Sequence, residues 1–455
     1  MIGVLNISDI KKAYFIGIGG IGMSAIARYF ISIGVKVFGY DKTPSALTED
    51  LMKEGCQIGF IDDPATCVED ADVVVYTPAI PSGSRIMHYY NEREIPLLKR
   101  SEVLGVISKD SFNICIAGTH GKTTVSTMVA HLLRDSGYGC NAFLGGISSN
   151  YGTNFWSSKN NCTVIEADEY DRSFLKLHPN IIAITSMDPD HLDIYGTAAA
   201  MEDAFLEFAG KLDPKGLLLT KKGLSREQSF SSEQHVTYHI SREDAGIHTV
   251  SLQIVNGYYQ YDVKGPGWKI DKIQLHMGGM HNVENSLVAI GIAKQLGIVD
   301  DKIREAIASF KGVKRRFEYI VKTEEHIYID DYAHHPEELR ALISSAKLLY
   351  PTKKCTLIFQ PHLYSRTRDF ASEFAESLSL ADETILLPIY PARELPIEGV
   401  TSSMIANQMK SNVQLMAFED VATFVNSSQP SLIITAGAGN IDRWIEPIKN
   451  ILLNQ

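Results

Sequence analysis

Two glycine-rich turns constrain the fold of this chain more than any of its other features. GIGGIG, at residues 17–22, and AGTHGKTT, at residues 117–124, each follow an apolar run and precede a stretch with helical spacing. A strand, a tight turn and a helix in that order begin a βαβ unit, and successive βαβ units build a parallel sheet. The sequence therefore predicts an α/β fold based on parallel sheets.

The alternation of strand-like and helix-like patterns continues to the end of the chain and divides it into three parts. One part surrounds each glycine-rich turn. A third begins after Phe317, where runs such as TLIFQPH and SLIITAGAG again end in polar residues or glycine. Short alternating pieces between residues 222 and 275 predict a small antiparallel patch in the second part. We predict three domains, at residues 1–107, 108–320 and 321–455.

The composition argues against several classes of protein. The chain has 455 residues and a net charge of −11, which argues against binding to nucleic acid. It contains no run near the ~20 apolar residues of a membrane helix, so we expect no membrane partner. Its six cysteines include no C-x-x-C pair, which fits reduced packing residues in a cytoplasmic protein.

The first turn has the pattern G-x-G-x-x-G, formed by Gly17, Gly19 and Gly22, with Gly20 between them. Glycines let the backbone approach a ligand closely, and the N–H groups at the start of the following helix bind phosphate oxygens. Asp41 ends the next strand, as in NAD sites, but the pattern requires only a nucleotide diphosphate. A tight turn without a ligand is the alternative.

The second turn is close to the phosphate-binding pattern G-x-x-x-x-G-K-[ST], with its first glycine displaced from position 116 to Gly118. We expect Lys122 to contact the β- and γ-phosphates of ATP and Thr123 to bind Mg²⁺. The whole loop is expected to hold the nucleotide: Gly118, Thr119, His120, Gly121, Lys122, Thr123 and Thr124. Because this loop predicts ATP, it argues against a simple dehydrogenase based on the first turn.

Acidic residues and a histidine follow two strand-like runs of the central part, in EADEYD at residues 166–171 and DPDHLD at residues 188–193. Mg²⁺ prefers oxygen ligands and takes few protein contacts, so Glu166 and His191 are candidates for a cation beside Thr123. Taken alone, each of these side chains is more often a solvated loop residue or a helix cap.

Two motifs later in the chain carry further candidates. MHNVEN offers Asn282 and Asn285 at a helix start, where helix capping is the alternative. DDYAHHPEE concentrates polar side chains in one short turn: Asp331, Tyr332, His334 and His335. Paired histidines suggest zinc, but neither a cysteine partner nor an H-x₃-H helix accompanies them.

A third motif, QPHLYSRTRDF, places His362 and Arg366 after a strand. An arginine in that position suits a carboxylate or a phosphate, because its planar guanidinium can bind either with two hydrogen bonds.

Eight motifs occur in a fixed order across nearly the whole chain: GIGGIGMSAIA, AGTHGKTT, EADEYDRSF, DHLDIYG, HNVEN, DDYAHHPEE, QPHLYSRTRDF and TAGAGNI. Together they resemble the Mur ligases, and most closely the branch that adds L-alanine to UDP-N-acetylmuramate. The resemblance implies an N-terminal Rossmann-like domain that binds UDP, a central P-loop ATPase domain and a C-terminal Rossmann-like domain. It therefore explains the first turn without NAD.

The resemblance also implies a reaction and a set of site residues. ATP, UDP-N-acetylmuramate and L-alanine would give ADP, phosphate and the joined product through an acyl phosphate, in peptidoglycan synthesis. Four side chains are then expected at the reacting centre: Lys122, His191, His334 and Arg366. The nucleotide would contact four more residues outside the loop: Asn282, Asn285, Asp331 and either Arg316 or its neighbour Arg315. The sugar nucleotide and the alanine would be held by Gly17, Gly19, Gly20, Gly22, Asp41, Tyr332, His335, His362 and Arg366. Mg²⁺ would be held by Thr123, Glu166 and His191.

The chain departs from the family pattern at Leu363, where many members have arginine. Arg366 and Arg368 are then the cations left near that position. Three other readings stay open: a ligase that attaches a whole tripeptide to the same sugar nucleotide, an NAD-dependent dehydrogenase, and a nucleotide-binding scaffold without bond-forming chemistry. We expect a monomer or a homodimer.

Overall fold

The N-terminal region alternates strands and helices as the sequence predicts. The structure is a computed structural model that describes residues 6–392 and 394–453. The first elements are β1 (Lys12–Ile16), α1 (Ile21–Ser32), β2 (Lys36–Tyr40), α2 (Ala46–Lys53), β3 (Gln57–Gly59), β4 (Val73–Tyr76), α3 (Arg85–Asn91), β5 (Leu97–Lys99) and α4 (Arg100–Ile107). The strands form a parallel sheet in the order β3-β2-β1-β4-β5. The first glycine turn follows β1, where the strand order reverses, and such a point is the usual ligand site of an open sheet.

The central region follows the same logic. Its elements are β6 (Phe112–Ala117), α5 (Lys122–Asp135), β7 (Asn141–Phe143), β8 (Phe155–Trp156), β9 (Cys162–Glu166), β10 (Ile181–Ile184), α6 (Leu192–Tyr195), α7 (Ala198–Ala209), β11 (Leu217–Lys221), β12 (Gln234–His239), β13 (Ile247–Val255), β14 (Tyr258–Gly265), β15 (Trp268–Leu275), α8 (Met280–Gln295) and α9 (Asp300–Ser309). The sheet order is β15-β14-β13-β12-β11-β10-β6-β9-β7-β8. Strands β10, β6 and β9 are parallel neighbours, so their carboxyl ends meet around the second glycine turn.

The antiparallel patch is smaller than the sequence predicted for residues 222–275. β12 pairs in parallel with β11. Residues 222–233 form a crossover long enough to return the chain to the end of the sheet at which β11 begins. β13 pairs in parallel with β12 over a short register. Between residues 222 and 275 of the described chain, only β13, β14 and β15 have the tight connections that join antiparallel neighbours, so the predicted patch is present but begins at β13.

The C-terminal region forms a third sheet. Its elements are β16 (Glu318–Lys322), β17 (Ile327–Asp331), α10 (Pro336–Leu349), β18 (Cys355–Phe359), α11 (Tyr364–Asp369), α12 (Ala371–Leu378), β19 (Glu383–Leu386), α13 (Ser403–Ala406), β20 (Asn412–Leu415), α14 (Val421–Ser428), β21 (Leu432–Ala436) and α15 (Ile445–Leu453). The order is β16-β17-β21-β18-β19-β20, and β16 pairs antiparallel to the parallel strands. The carboxyl ends of β17, β21 and β18 lie at one level, since Ala436 is opposite both Asp331 and Phe359.

Contacts between residues divide the chain into two compact units. One contains residues 6–251, 262–273 and 284–308, and the other contains residues 252–261, 274–283, 309–392 and 394–453. In the first unit one apolar core includes side chains of both the N-terminal and the central regions, such as Phe15, Phe30, Phe143 and Phe155. The predicted domain boundaries at residues 107/108 and 320/321 stay predictions.

Two observations bear on the predicted environment. Within the described part of the chain, no helix combines the length and the hydropathy that crossing a bilayer requires. All six cysteines are free thiols, and Cys56, Cys115, Cys140, Cys162 and Cys355 are buried, in agreement with the predicted packing role.

A buried asparagine joins the N-terminal helix α1 to the central region. Asn154, just before β8, donates from Nδ2 to Ile21 O at 2.6 Å and to Ser24 Oγ at 3.0 Å. Its Oδ1 accepts a hydrogen bond from the buried Arg28, whose other face pairs with Glu54 at 2.8 Å. Because Asn154 and Arg28 are hidden from water, each needs its hydrogen-bond partners.

We expect Asn154→Ala to lower the free energy of unfolding of the first unit by about 1–3 kcal/mol, because it leaves buried polar atoms unsatisfied. Denaturant midpoints followed by circular dichroism would measure the loss. Asn161→Ala is the matched control, since Asn161 donates to Asp110 O at 2.6 Å but is exposed. Equal midpoints for the two variants would contradict this role for Asn154.

Candidate active site

The first glycine turn is fixed by backbone contacts and by Asp41. The N–H groups of Gly17 and Ile18 donate to Tyr40 O at 2.7 and 3.1 Å. Gly17 has φ 85°, which only glycine adopts without strain. Asp41 Oδ2 accepts from Gly19 N at 2.8 Å, and a Cβ on Gly19 would lie equally close to that oxygen. The carboxylate of Asp41 therefore holds the shape of the turn.

A cavity of about 570 Å³ opens at the N-terminus of α1. Its walls include Gly20 and Gly22 of the turn and the side chains of Lys99 and Arg100 from the β5–α4 junction. The cavity reaches Glu166 at the end of β9 in the central region. Cations beside a helix N-terminus suit a bound diphosphate.

Sequence reasoning missed Lys99 and Arg100. Arg100 lies 3.5 Å from Asp168 Oδ2, and Lys99 Nζ lies 3.3 Å from Asp171 Oδ2, so both cations pair with acids that follow β9. A signal was present, because these two residues end a strand-like run and begin a helix. The rule that polar strand ends form sites would have selected them.

The second glycine turn packs closely against the residues that follow β10. Gly118 has φ 130°, and a Cβ there would lie 2.2 Å from Thr185 Oγ1. His120 N donates to Ser186 Oγ at 2.7 Å, and Thr119 Oγ1 lies 2.8 Å from the same oxygen. These hydrogen bonds fix the loop that leads directly into the N-terminus of α5. The His120 ring is exposed and faces Asp188 at 3.8 Å.

Lys122 and Thr123 begin α5 and turn toward two different carboxylates. Lys122 Nζ donates to Gly118 O at 2.7 Å and to Glu169 Oε1 at 2.8 Å. Thr123 Oγ1 donates to Glu166 Oε1 at 2.8 Å, while Glu166 Oε2 accepts from Gly145 N at 2.8 Å. A threonine hydroxyl beside a carboxylate is a donor set of the kind that Mg²⁺ prefers.

His191 lies on the Glu169 side of this arrangement. Its Nε2 is 3.9 Å from Glu169 Oε1 and 3.7 Å from Asp190 Oδ2, and its φ of 50° is strained for a non-glycine residue. In the described residues, no group of three histidine, cysteine, aspartate or glutamate side chains is placed to hold a metal. The structure thus brings Thr123 and Glu166 together and leaves the metal role of His191 a prediction.

The two asparagines of the HNVEN motif are both placed on α8. Asn285 Oδ1 lies 3.2 Å from the position that a Cβ on Gly121 would take, so it borders the loop. Asn282 is buried and donates from Nδ2 to Gly278 O at 2.7 Å, a contact with the segment that leads into the helix.

In the second unit, Asp331 ends β17 and organises the turn after it. Its Oδ2 accepts from Phe317 N at 2.6 Å and its Oδ1 from Ala333 N at 2.7 Å. Burial raises the pKa of Asp331 to about 6, although both N–H donors act in the opposite direction. Tyr332 is exposed, and its ring lies 5.1 Å from the Arg315 guanidinium.

Arg315 and Arg316 have different surroundings. Arg315 donates to the buried Asp330 at 3.1 Å and to Gly437 O at 2.6 Å, which fixes the β16 end of the sheet to the turn after β21. Arg316, which the sequence assigned to the nucleotide, is exposed. It is therefore the more accessible of the two for a ligand.

Three of the predicted side chains form a cluster at the ends of β17 and β18. The rings of His334 and His362 are 6.0 Å apart, and Arg366 Nη1 lies 3.5 Å from His362 Nδ1. Burial and the charge of Arg366 lower the pKa of His362. His335 caps α10 and contacts Phe370 at 5.0 Å between ring centroids.

Leu363, the residue that departs from the family pattern, has φ 73°, a backbone conformation that is strained for a leucine. Its N–H donates to Tyr390 O at 3.0 Å, and α11 with Arg366 begins directly after it. The backbone at this position is thus held by the loop after β19. Sequence reasoning also missed Glu394, whose carboxylate accepts from Ser365 N at 3.0 Å.

Three consecutive segments match domains of one family. Residues 12–112 match the Mur ligase family, catalytic domain; residues 116–293 match the Mur ligase middle domain; residues 315–439 match the Mur ligase, glutamate ligase domain. The matches appear in the order that the motifs predict.

Full-length relatives carry one name. A UDP-N-acetylmuramate–L-alanine ligase from Flavobacterium johnsoniae is 47% identical over 453 residues, covering 98% of this chain and 99% of that protein. A protein of the same name from Parabacteroides distasonis is 46% identical over 459 residues, covering 99% of each.

Solved structures agree with the sequence matches. The UDP-N-acetylmuramate–alanine ligase from Thermotoga maritima superposes with a TM-score of 0.82 at 28% identity, covering 96% of this chain and 98% of that one. A murein peptide ligase from Psychrobacter arcticus superposes with a TM-score of 0.67 at 21% identity, covering 97% and 99%, which shows a shared fold.

We expect the pKa of Asp331 to appear in the pH dependence of stability. An aspartate in an unfolded chain has a pKa of ~3.9, so between about pH 4 and pH 6 the folded chain binds more protons than the unfolded one. The contribution of Asp331 to the free energy of unfolding therefore falls as the pH rises through this window and is constant above it.

Denaturant unfolding of the wild-type chain and of Asp331→Asn, from pH 4.5 to pH 7.5, would isolate this contribution, since other groups cancel in the difference. The stability of the wild type relative to the variant should decrease toward pH 6. A difference that is independent of pH, or one that grows with pH, would contradict the raised pKa.

Proposed function

The chain belongs to the Mur ligase family, and from this premise we propose that it joins L-alanine to the lactyl carboxylate of UDP-N-acetylmuramate with conversion of ATP to ADP and phosphate. The observation that carries the proposal is the 47% identity, over nearly the full length of both chains, to a ligase named for that reaction. The product is a peptidoglycan precursor, so the protein acts in cell-wall synthesis, in the cytoplasm.

The reaction needs an activated carboxylate, because a free carboxylate would have to expel oxide. An oxygen of the lactyl carboxylate attacks the γ-phosphorus of ATP, and ADP leaves. The alanine amine attacks the carbonyl carbon of the acyl phosphate, phosphate leaves from the tetrahedral intermediate, and the nitrogen loses a proton. Every species carries negative charge, so catalysis consists chiefly of positioning and charge neutralisation.

The nucleotide loop supplies much of that neutralisation in this proposal. Lys122 contacts the γ-phosphate, and the N–H groups at the start of α5 bind phosphate oxygens. Thr123 and Glu166, whose oxygens are 2.8 Å apart, are the residues that would hold Mg²⁺. The ion would neutralise phosphate charge. Asn285 borders the loop and is assigned to the nucleotide.

The cavity beside the first glycine turn is assigned to the sugar nucleotide. Lys99, Arg100 and the N-terminus of α1 bind the diphosphate, and the extension of the cavity to Glu166 leads the sugar carboxylate toward the nucleotide loop. In the second unit, Arg366 beside His362 is assigned to the carboxylate of the incoming amino acid. We assign His334, His335 and Tyr332 to positions around the same substrate.

The test is phosphate release from ATP and Mg²⁺ in the presence of UDP-N-acetylmuramate, with L-alanine in one reaction and the tripeptide L-alanyl-γ-D-glutamyl-diaminopimelate in another. Release that requires both the sugar nucleotide and alanine supports the proposal. Release only with the tripeptide would instead place the chain with the recycling ligases. Release with neither would contradict ligase function.

Reciprocal variants should separate the two phosphate sites. Lys122→Ala should abolish phosphate release while UDP-N-acetylmuramate still binds, because Lys122 lies in the nucleotide loop. Arg100→Ala should weaken UDP-N-acetylmuramate binding by about 1–3 kcal/mol, since it removes a charge-assisted contact, and should leave ATP binding intact. Isothermal titration calorimetry with each ligand alone would measure both effects. Equal losses for both ligands in either variant would contradict the assignment.

A further inference from the structure

The acid that contacts Lys122 is Glu169, a residue that the sequence analysis did not select. Glu169 is fully buried, and both of its carboxylate oxygens lie 2.8 Å from Lys122 Nζ. Glu166, three residues earlier, contacts Thr123 instead. We propose that Glu169 is a positioning residue, which holds the Lys122 ammonium in place for the phosphates of ATP; this inference rests on the proposed function.

The surroundings of Glu169 keep its carboxylate in place. Tyr195 OH, at the end of α6, donates to the main-chain oxygen of Glu169 at 2.6 Å and so fixes the backbone of Glu169. Burial raises the pKa of Glu169 and Lys122 opposes that rise. A buried carboxylate is costly without a cation beside it, so Lys122 is the partner that makes this position tolerable.

The geometry leaves a place for a phosphate oxygen. A lysine ammonium has three N–H donors. In the described structure, Lys122 donates to Gly118 O of the loop and to Glu169 Oε1 of the segment after β9, while Glu169 Oε2, although close, accepts no hydrogen bond. Two fixed acceptors define the direction of the third N–H, and that donor remains for the nucleotide.

Positioning matters because lysine is flexible. A free lysine side chain samples many rotamers, and this entropy must be lost whenever its ammonium is held in one geometry. A fixed carboxylate makes that loss part of folding rather than of each catalytic cycle. Without the charge of Glu169, the ammonium keeps the Gly118 contact and loses its second anchor.

A second lysine–glutamate pair provides a matched control. Lys222 and Glu227 are also 2.8 Å apart and partly buried, but they lie in the turn between β11 and β12. Glu169→Gln and Glu227→Gln therefore remove the same charge from similar pairs, one at the nucleotide loop and one away from it. Glu169→Asp keeps the charge on a shorter side chain.

The first measurement is the rate at which a lysine-specific acylating reagent labels Lys122 and Lys222, read by peptide mass spectrometry. Glu169→Gln should speed labelling of Lys122 and not of Lys222, and Glu227→Gln should do the reverse. Equal acceleration at both lysines in Glu169→Gln would mean general loosening of the fold and would overturn the proposal. This readout does not need ligase activity, so it stays informative if the proposed reaction fails.

The second measurement is the steady-state kinetics of the proposed ligase reaction for the wild type and the three variants. Glu169→Gln should lower kcat by about 10–100-fold, as expected for a misplaced catalytic group, with the KM for UDP-N-acetylmuramate unchanged. Glu169→Asp should recover part of the loss, and Glu227→Gln should match the wild type. A wild-type kcat in Glu169→Gln, or no recovery in Glu169→Asp, would overturn the positioning role. Absence of activity in the wild type would count against the proposed function and not against Glu169.

Discussion

Parallel pairing of β9, β6 and β10 is the constraint on which the geometry of the first unit depends. Glu166 lies opposite Ile116 on one side, and Ile184 lies opposite Ala117 on the other. The loop that leaves β6 is therefore placed between the ends of two neighbouring strands. Thr185 and Ser186 hold it from one side and the acids after β9 approach from the other. A change of register in either pair would separate these groups.

Both units place an ion pair with a fully buried carboxylate near the end of a parallel strand. In the first unit Lys122 meets Glu169, and in the second Arg315 meets Asp330 at 3.1 Å. Such pairs add little net stability, since desolvation offsets most of their attraction, but breaking one leaves a charge stranded. They fix side chains and loops more than they strengthen the fold. Arg315 holds the turn after β21, as Glu169 holds Lys122.

The sequence was a good guide to elements and a weaker guide to contacts. The two glycine-rich turns and the MHNVEN motif indicated where α1, α5 and α8 begin, because local propensity and capping decide helix ends. The antiparallel patch was overestimated, because the pairing direction of β12 depends on the path of residues 222–233 rather than on its own pattern. The pairing of Arg100 with Asp168 could not be predicted, because nothing local shows that α4 faces that acid.

The sequence by itself determined the chemistry that is available: glycines where the backbone must turn, a lysine and a threonine at the start of α5, and polar residues after each strand. Those features are local, since φ restrictions and hydrogen-bonding groups belong to individual residues. Only the tertiary structure decided that Lys122 pairs with Glu169 rather than Glu166. It also decided that Leu363 takes a positive φ, with its N–H donating to Tyr390 O. These contacts join residues far apart in the chain, and strand register and packing select among several equally plausible partners.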